Sequence, residues 1–179
     1  VVVENFRVGV TERLGIDYDA LRQHNPDLIY CSITGFGSDG PESDRKAYDL
    51  MVQAASGLMS VTGQPDGNAY KTGSPISDGL AGTFAVLGIL GALFHRMRTG
   101  EGQFIDVSMT DCLVSLMYDE PWDCYETLGL PFRQGNRIMR FSPFNTYHAA
   151  DGIVAVGAAT DADWINLLEV MGREDLKNE

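Results

Sequence analysis

This sequence has no cluster of basic residues, no ligand spacing of the kind that holds a metal, and no apolar run long enough to span a membrane. Lys and Arg number 13 against 25 acidic residues, for a formal charge of −12, and they form no run. Such a chain repels polyanions, so neither nucleic acid nor an anionic membrane surface is an expected partner. An anionic ligand would need local donors, such as a helix N-terminus and a few placed cations. The histidines His24, His95 and His148 stand apart from one another and from Cys and carboxylates at ligand spacing, so no metal site is expected. His24 and His95 fall at helix ends, where a cation suits the dipole. Cys31, Cys112 and Cys124 fit neither a disulfide framework nor a zinc site. They read as buried thiols of a reducing compartment. The longest apolar stretch, Gly79 to Phe94, falls short of the roughly 20 residues of a membrane span and reads as a buried core helix. No signal-peptide pattern opens the chain, and a cytoplasmic location is expected. There is no G-x-S-x-G elbow and no P-loop. Gly35-Phe36-Gly37 begins like a dinucleotide fingerprint, but the later spacing fails.

What is present is an ordinary globular composition, 44% apolar and 21% charged, on a chain of 179 residues, enough for a real core. Val1 to Val3 reads as a buried strand, Val10 to Gln23 as a helix with Val10, Leu14 and Leu21 on one face, and Leu28 to Ile33 as a second buried strand. Strand, helix and strand at this spacing make a βαβ unit with parallel strands. The loop after the second strand, with Gly35, Gly37, Gly40 and Pro41, leaves at the strand's carboxyl end, where open α/β sheets place ligands. A helix over Tyr48 to Met59, the apolar helix from Gly79 to Met97, a strand over Phe104 to Ser108 and a helix from Thr110 to Tyr118 follow. Residues 129–143 form a loop, and a hairpin around Asp151-Gly152 precedes a last helix capped by Asp161 or Asp163. The composition changes near residue 129, which suggests a boundary between 1–128 and 129–179. The opening on three valines and the close just after a helix read as a piece of a longer chain.

Asp78 stands out among the carboxylates. Ser74-Pro75-Ile76-Ser77-Asp78-Gly79 passes directly into the apolar helix. The plain reading is that Ser77 or Asp78 caps that helix. The chemical reading is that the dipole holds the Asp78 carboxylate ionised and that it serves as a covalent nucleophile toward a thioester. Gly79 and Gly82 beside it let a substrate approach the backbone.

Several segments, in the same order along the chain, resemble the family III CoA-transferases. Glu4-Asn5-Phe6-Arg7-Val8-Gly9 through Arg13-Leu14-Gly15 is similar to their "ENFRPG…RLG" segment. Pro26 to Gly37, Tyr48-Asp49 with Gln53 to Met59, Asp78 with its helix, and Arg98 to Gln103 match as well. The resemblance implies CoA transfer from an acyl-CoA to a small free carboxylic acid through an aspartyl-CoA thioester on Asp78. It assigns coenzyme A binding to Asn5, Phe6, Arg13, Lys46 and Tyr48. It also implies an α/β fold: the central part of a nucleotide-binding-like large domain (1–128) and the start of a smaller α+β domain (129–179), within a homodimer of interlocked subunits. No glycine-rich run lies in the second part, which argues against formyl and oxalate substrates. The α-methylacyl-CoA racemase branch is the rival reading, but its catalytic His aligns with Tyr48, and a phenol is a poor base near neutral pH. A non-catalytic CoA-binding or assembly fragment is the third.

Overall fold

The computed structural model describes residues 1–177. Three strands, β1 (Val2–Glu4), β2 (Ile29–Thr34) and β3 (Gln103–Ser108), form a parallel sheet in the order β1-β2-β3. Tyr30 lies between Val2 and Phe104, Cys31 between Val3 and Ile105, and Ser32 between Glu4 and Asp106. In-register parallel neighbours point to the same side, so the sheet has two distinct faces. On one, Cys31 and Val107 pack with Ala81, Ala85 and Cys112. On the other, Tyr30 and Phe104 stack at 5.9 Å and both meet Tyr18.

The parallel βαβ reading holds. Among the described residues the first strand, however, pairs only with β2, and Val3 is half exposed, so it lies at the edge of this sheet rather than buried within it. The helix expected over Val10 to Gln23 is two helices, α1 (Val10–Leu14) and α2 (Tyr18–Arg22). Gly15 takes a left-handed conformation at φ 69° and ends α1, and Asp17 restarts the chain by accepting from the Ala20 N–H at 3.0 Å. Gly57, at φ 91°, likewise divides the next helical stretch into α3 (Asp49–Ala55) and α4 (Leu58–Val61).

The long helix α5 (Ile76–Thr99) begins three residues earlier than the apolar run suggests. It packs on β2 and β3 and against α6 (Met109–Val114). It is not buried all round. Ala81, Ala85 and Ala92 face inward, while Val86, Leu87, Leu90 and Phe94 are each more than half exposed. The small residues bring the helix close to the sheet, and Gly88 sits directly over the Ile105 side chain. By length and composition alone this helix could cross a membrane; here one face of it lies on the sheet.

Gly100, at φ 78°, ends α5, and Gly102 follows where the chain enters β3. A Cβ built on Gly102 would overlap the Leu28 carbonyl oxygen, which is backbone and cannot move aside. Gly102→Ala is therefore expected to destabilise the fold by about 3 kcal/mol, as overpacking of a fixed site does. An unchanged melting temperature would contradict that.

A short helix, α7 (Trp122–Thr127), follows Pro121. It buries Tyr125 and turns Cys124, one residue away on the helix, toward solvent. Cys124 is thus exposed, contrary to the expectation for all three thiols. Cys31 and Cys112 are buried, and burial, with carboxylates nearby, raises both thiols. Strands β4 (Phe144–His148) and β5 (Ile153–Gly157) form an antiparallel hairpin. The Ala149 N–H donates to the Gly152 carbonyl, which centres the turn on Ala150-Asp151, one residue before the expected position. Helix α8 (Asp161–Met171) is capped not by an aspartate but by Thr160, in a reciprocal capping box with Asp163.

Candidate active site

Asn5 follows β1, Thr34 and Gly35 end β2, and Asp78 sits in the first turn of α5. These carboxyl ends and that helix start surround a cavity of about 530 Å³, the place where an open parallel sheet binds its ligand. Asn5, Phe6, Tyr48 and Asp78 all line it. Four of the six residues singled out from the sequence therefore meet in one place. Arg13 and Lys46 do not line it. Arg13 lies on α1 beside Gly9, and Lys46 is exposed in the loop before α3. The cavity has two other cations, Arg7 and Arg45. Arg7 belongs to the Glu4–Gly9 segment itself, and the basic pair Arg45-Lys46 just before Tyr48 is the sequence signal for Arg45 in so acidic a chain.

The loop from Gly35 to Ala47 forms one wall and is tied down at several points. Thr110 donates to the Gly35 carbonyl through N–H and Oγ at 3.1 and 2.8 Å. Ser38 donates to Asp106 Oδ2 from N–H at 2.9 Å and from Oγ at 2.6 Å. Arg7 Nη2 donates to the Asp44 carbonyl at 3.2 Å. A Cβ at Gly35 would collide with the Ala47 side chain, so glycine lets the loop fold back on itself. Arg45 pairs with Glu42 at 2.9 Å and lies over the Phe36 ring at 5.2 Å from its centre. The ion pair is half exposed and adds little stability; the ring is what restrains the guanidinium.

Neither Ser77 nor Asp78 caps α5. Pro75 occupies the N-cap position and its side chain offers no hydrogen bond. The helix start is satisfied from another element. Ser77 donates to Asp49 Oδ1 from its N–H at 2.8 Å and from its Oγ at 2.7 Å. Asp49, the first residue of α3, thus does from outside the helix what a cap normally does from within. The Asp78 carboxylate accepts no hydrogen bond from the described residues and is left facing the cavity.

The electrostatics of the two carboxylates diverge. Burial alone would raise Asp49, but the donors Ser77 Oγ, Ser77 N–H and Gln53, with the Asp78 N–H, outweigh it and hold Asp49 below its ordinary value. Asp78 goes the other way: burial raises it, and the Asp49 charge raises it further. The shift runs opposite to the one a helix dipole gives a carboxylate at its N-terminus. A pair of acids pushed apart by their surroundings is a common mark of division of labour at a reacting site.

A second cavity, of about 350 Å³, opens on the Tyr30–Phe104 face of the sheet. It is walled by Glu4, Glu12, Asp17 and Asp19 along with those aromatics, against the single cation Arg7, a poor environment for an anion. No cluster suited to a metal ion occurs among the described residues.

The parallel sheet, the cavity at its carboxyl ends and the carboxylate at a helix start define an α/β protein built to hold a ligand beside an acid. The chain belongs to CoA-transferase family III, whose model matches residues 1–179. It is 42% identical over 180 residues to the succinyl-CoA:mesaconate CoA-transferase of Haloarcula hispanica, covering 98% of this chain and 46% of that protein. It is 40% identical to the acetyl-CoA:oxalate CoA-transferase of Acetobacter aceti, covering 100% of this chain and 46% of that one. Among solved structures, a CAIB/BAIF family protein from Brucella suis superposes with a TM-score of 0.83 at 37% identity, over 99% of this chain and 47% of that one. The chain thus spans about half the length of the relatives it matches.

Proposed function

We propose that the whole protein moves coenzyme A from an acyl-CoA to a free carboxylic acid, with Asp78 as the covalent carrier. The observation that most supports this is the state of Asp78. Its helix is capped by Asp49, so its own carboxylate is free of structural duty and faces the ligand cavity. In this reading Asp78 attacks the thioester carbonyl carbon, the C–S bond breaks, and CoA leaves as thiolate with the electron pair. The thiolate then attacks the Asp78 carbonyl of the mixed anhydride and expels the donor acid as carboxylate. The acceptor carboxylate attacks the resulting aspartyl-CoA thioester, and the thiolate finally takes the acceptor acyl group and restores Asp78. No net proton is gained or lost.

Asn5, Phe6 and Tyr48 form the coenzyme side of the cavity. Arg13 and Lys46, exposed outside it, serve as phosphate partners, since an ionised donor–acceptor pair is the stronger kind. The relatives' names pair succinyl-CoA with mesaconate in one case and acetyl-CoA with oxalate in the other; mesaconate and oxalate are both dicarboxylic acids. A dicarboxylate is the acceptor class we assign here, with Arg7 or Arg45 meeting the second carboxylate. Residues 1–128 would belong to a large domain and 129–179 to the start of a smaller one. The full protein would be an interlocked homodimer in the cytoplasm, with no nucleic-acid or membrane partner.

The test is direct. The full-length protein is incubated with succinyl-CoA and with acetyl-CoA, quenched and digested at acid pH, and the peptide bearing Asp78 is weighed. A CoA or acyl adduct on that peptide is expected. No adduct, together with solvent proton exchange at the carbon beside the thioester, would replace transfer with racemase chemistry. CoA binding with neither outcome would leave a binding module.

A further inference from the structure

We infer that Gln53 is a positioning residue for Asp78. This rests on the reading of Asp78 as the reacting group. Gln53 lies on α3, one turn beyond Asp49, and its side chain is fully buried. A buried amide is costly unless both of its ends are paired, and here both are. Nε2 donates to Asp49 Oδ2 at 2.6 Å, and Oε1 accepts from the Thr72 N–H at 2.9 Å.

The orientation of that amide is forced. An ionised carboxylate only accepts and a backbone N–H only donates, so a flipped amide would lose both bonds. Gln53 therefore locks two things at once. It fixes the rotation of the Asp49 carboxylate, so that Oδ1 is the oxygen turned to Ser77. It also anchors Thr72 in the segment leading into α5, and Thr72 Oγ in turn donates to the Ser74 carbonyl at 2.8 Å. Both routes end at the residues just before Asp78, one through Asp49 to Ser77 and the other through Thr72 to Ser74. Gln53 does not line the cavity, so it touches neither substrate nor the reacting atoms.

A side chain that acts only through such a relay should affect the chemical step more than binding. Misplacing the reacting atom by about 1 Å lowers activity by up to about 100-fold. The experiment uses the full-length protein and three variants. Gln53→Leu removes both bonds. Gln53→Met removes both while keeping the unbranched shape. Gln53→Glu keeps the size and sets a second carboxylate against Asp49. For variants with native circular dichroism, kcat is expected to fall by about 30-fold, while KM for the acyl-CoA stays within about threefold, with Gln53→Glu at least as impaired as Gln53→Met. The rate of adduct formation on Asp78 should fall in step with kcat. If wild-type protein forms the adduct and the folded variants form it equally fast, the positioning role of Gln53 is overturned and the carrier role of Asp78 stands. If wild-type protein forms none, it is the carrier role that fails.

Discussion

Asp78→Asn in the full-length protein is expected to lower CoA transfer by on the order of 10⁴-fold or more, the scale seen when a covalent nucleophile is removed, without weakening the fold. The stability half follows from the direction of the shift. Burial and the Asp49 charge raise Asp78 in the folded state. The folded chain then holds its proton over a pH interval in which the unfolded chain has lost it, so stability falls as pH rises from the ordinary carboxylate value through the raised one. At neutral pH that cost is fully present in the wild type. The amide carries no charge and escapes it. The unfolding midpoint of Asp78→Asn should therefore equal or exceed that of the wild type near neutrality, and the gap should close below the ordinary carboxylate value. A midpoint several degrees lower, with transfer lost, would make Asp78 a structural residue.

Asp49→Ala should do the opposite to stability and lower activity less than Asp78→Asn does. The substitution leaves the Ser77 N–H and hydroxyl and the Gln53 amide without their acceptor. Loss of a helix cap together with charge-assisted bonds costs about 2–4 kcal/mol, which chemical denaturation measures as a lower midpoint at constant slope. Asp49 lies below its ordinary value in the folded state. Its contribution is therefore complete above the unfolded carboxylate pKa and is lost as pH falls through the folded one. The difference between wild type and variant should be constant around neutrality and shrink in acid. Transfer should drop by about 100-fold, since the first turn of α5 carries the reacting group. A variant as stable as wild type would show that the helix start finds another acceptor.

The parallel sheet and the position of the ligand cavity were legible in the sequence because they depend on local pattern. Leu28 to Ile33 is apolar except for Ser32 and leads through Thr34 to Gly35, and such a run marks a strand buried on both faces. The errors were of another kind. Gly15 and Gly57 lie inside stretches whose pattern predicts unbroken helices, and only the backbone shows that each takes positive φ and divides its helix. The cap of α5 was assigned to its own neighbours because that is where caps usually come from. The true acceptor, Asp49, lies 28 residues away in the chain, and no spacing rule links it to Ser77. The same holds for Gln53 and Thr72, 19 residues apart. Asn5, Phe6, Tyr48 and Asp78 line one cavity, and Arg45 reaches it through the return of a loop whose path depends on Gly35 and Asp106.

The contact between Gly88 and Ile105 makes α5 a lever. Asp78 lies ten residues from that point, about 15 Å along the helix. A side chain at Gly88 large enough to tilt α5 by only about 5° would swing Asp78 by more than an ångström, as much as separates a reactive geometry from an idle one. The position of the Asp78 carboxylate is thus set partly by a glycine and an isoleucine that do not line the cavity.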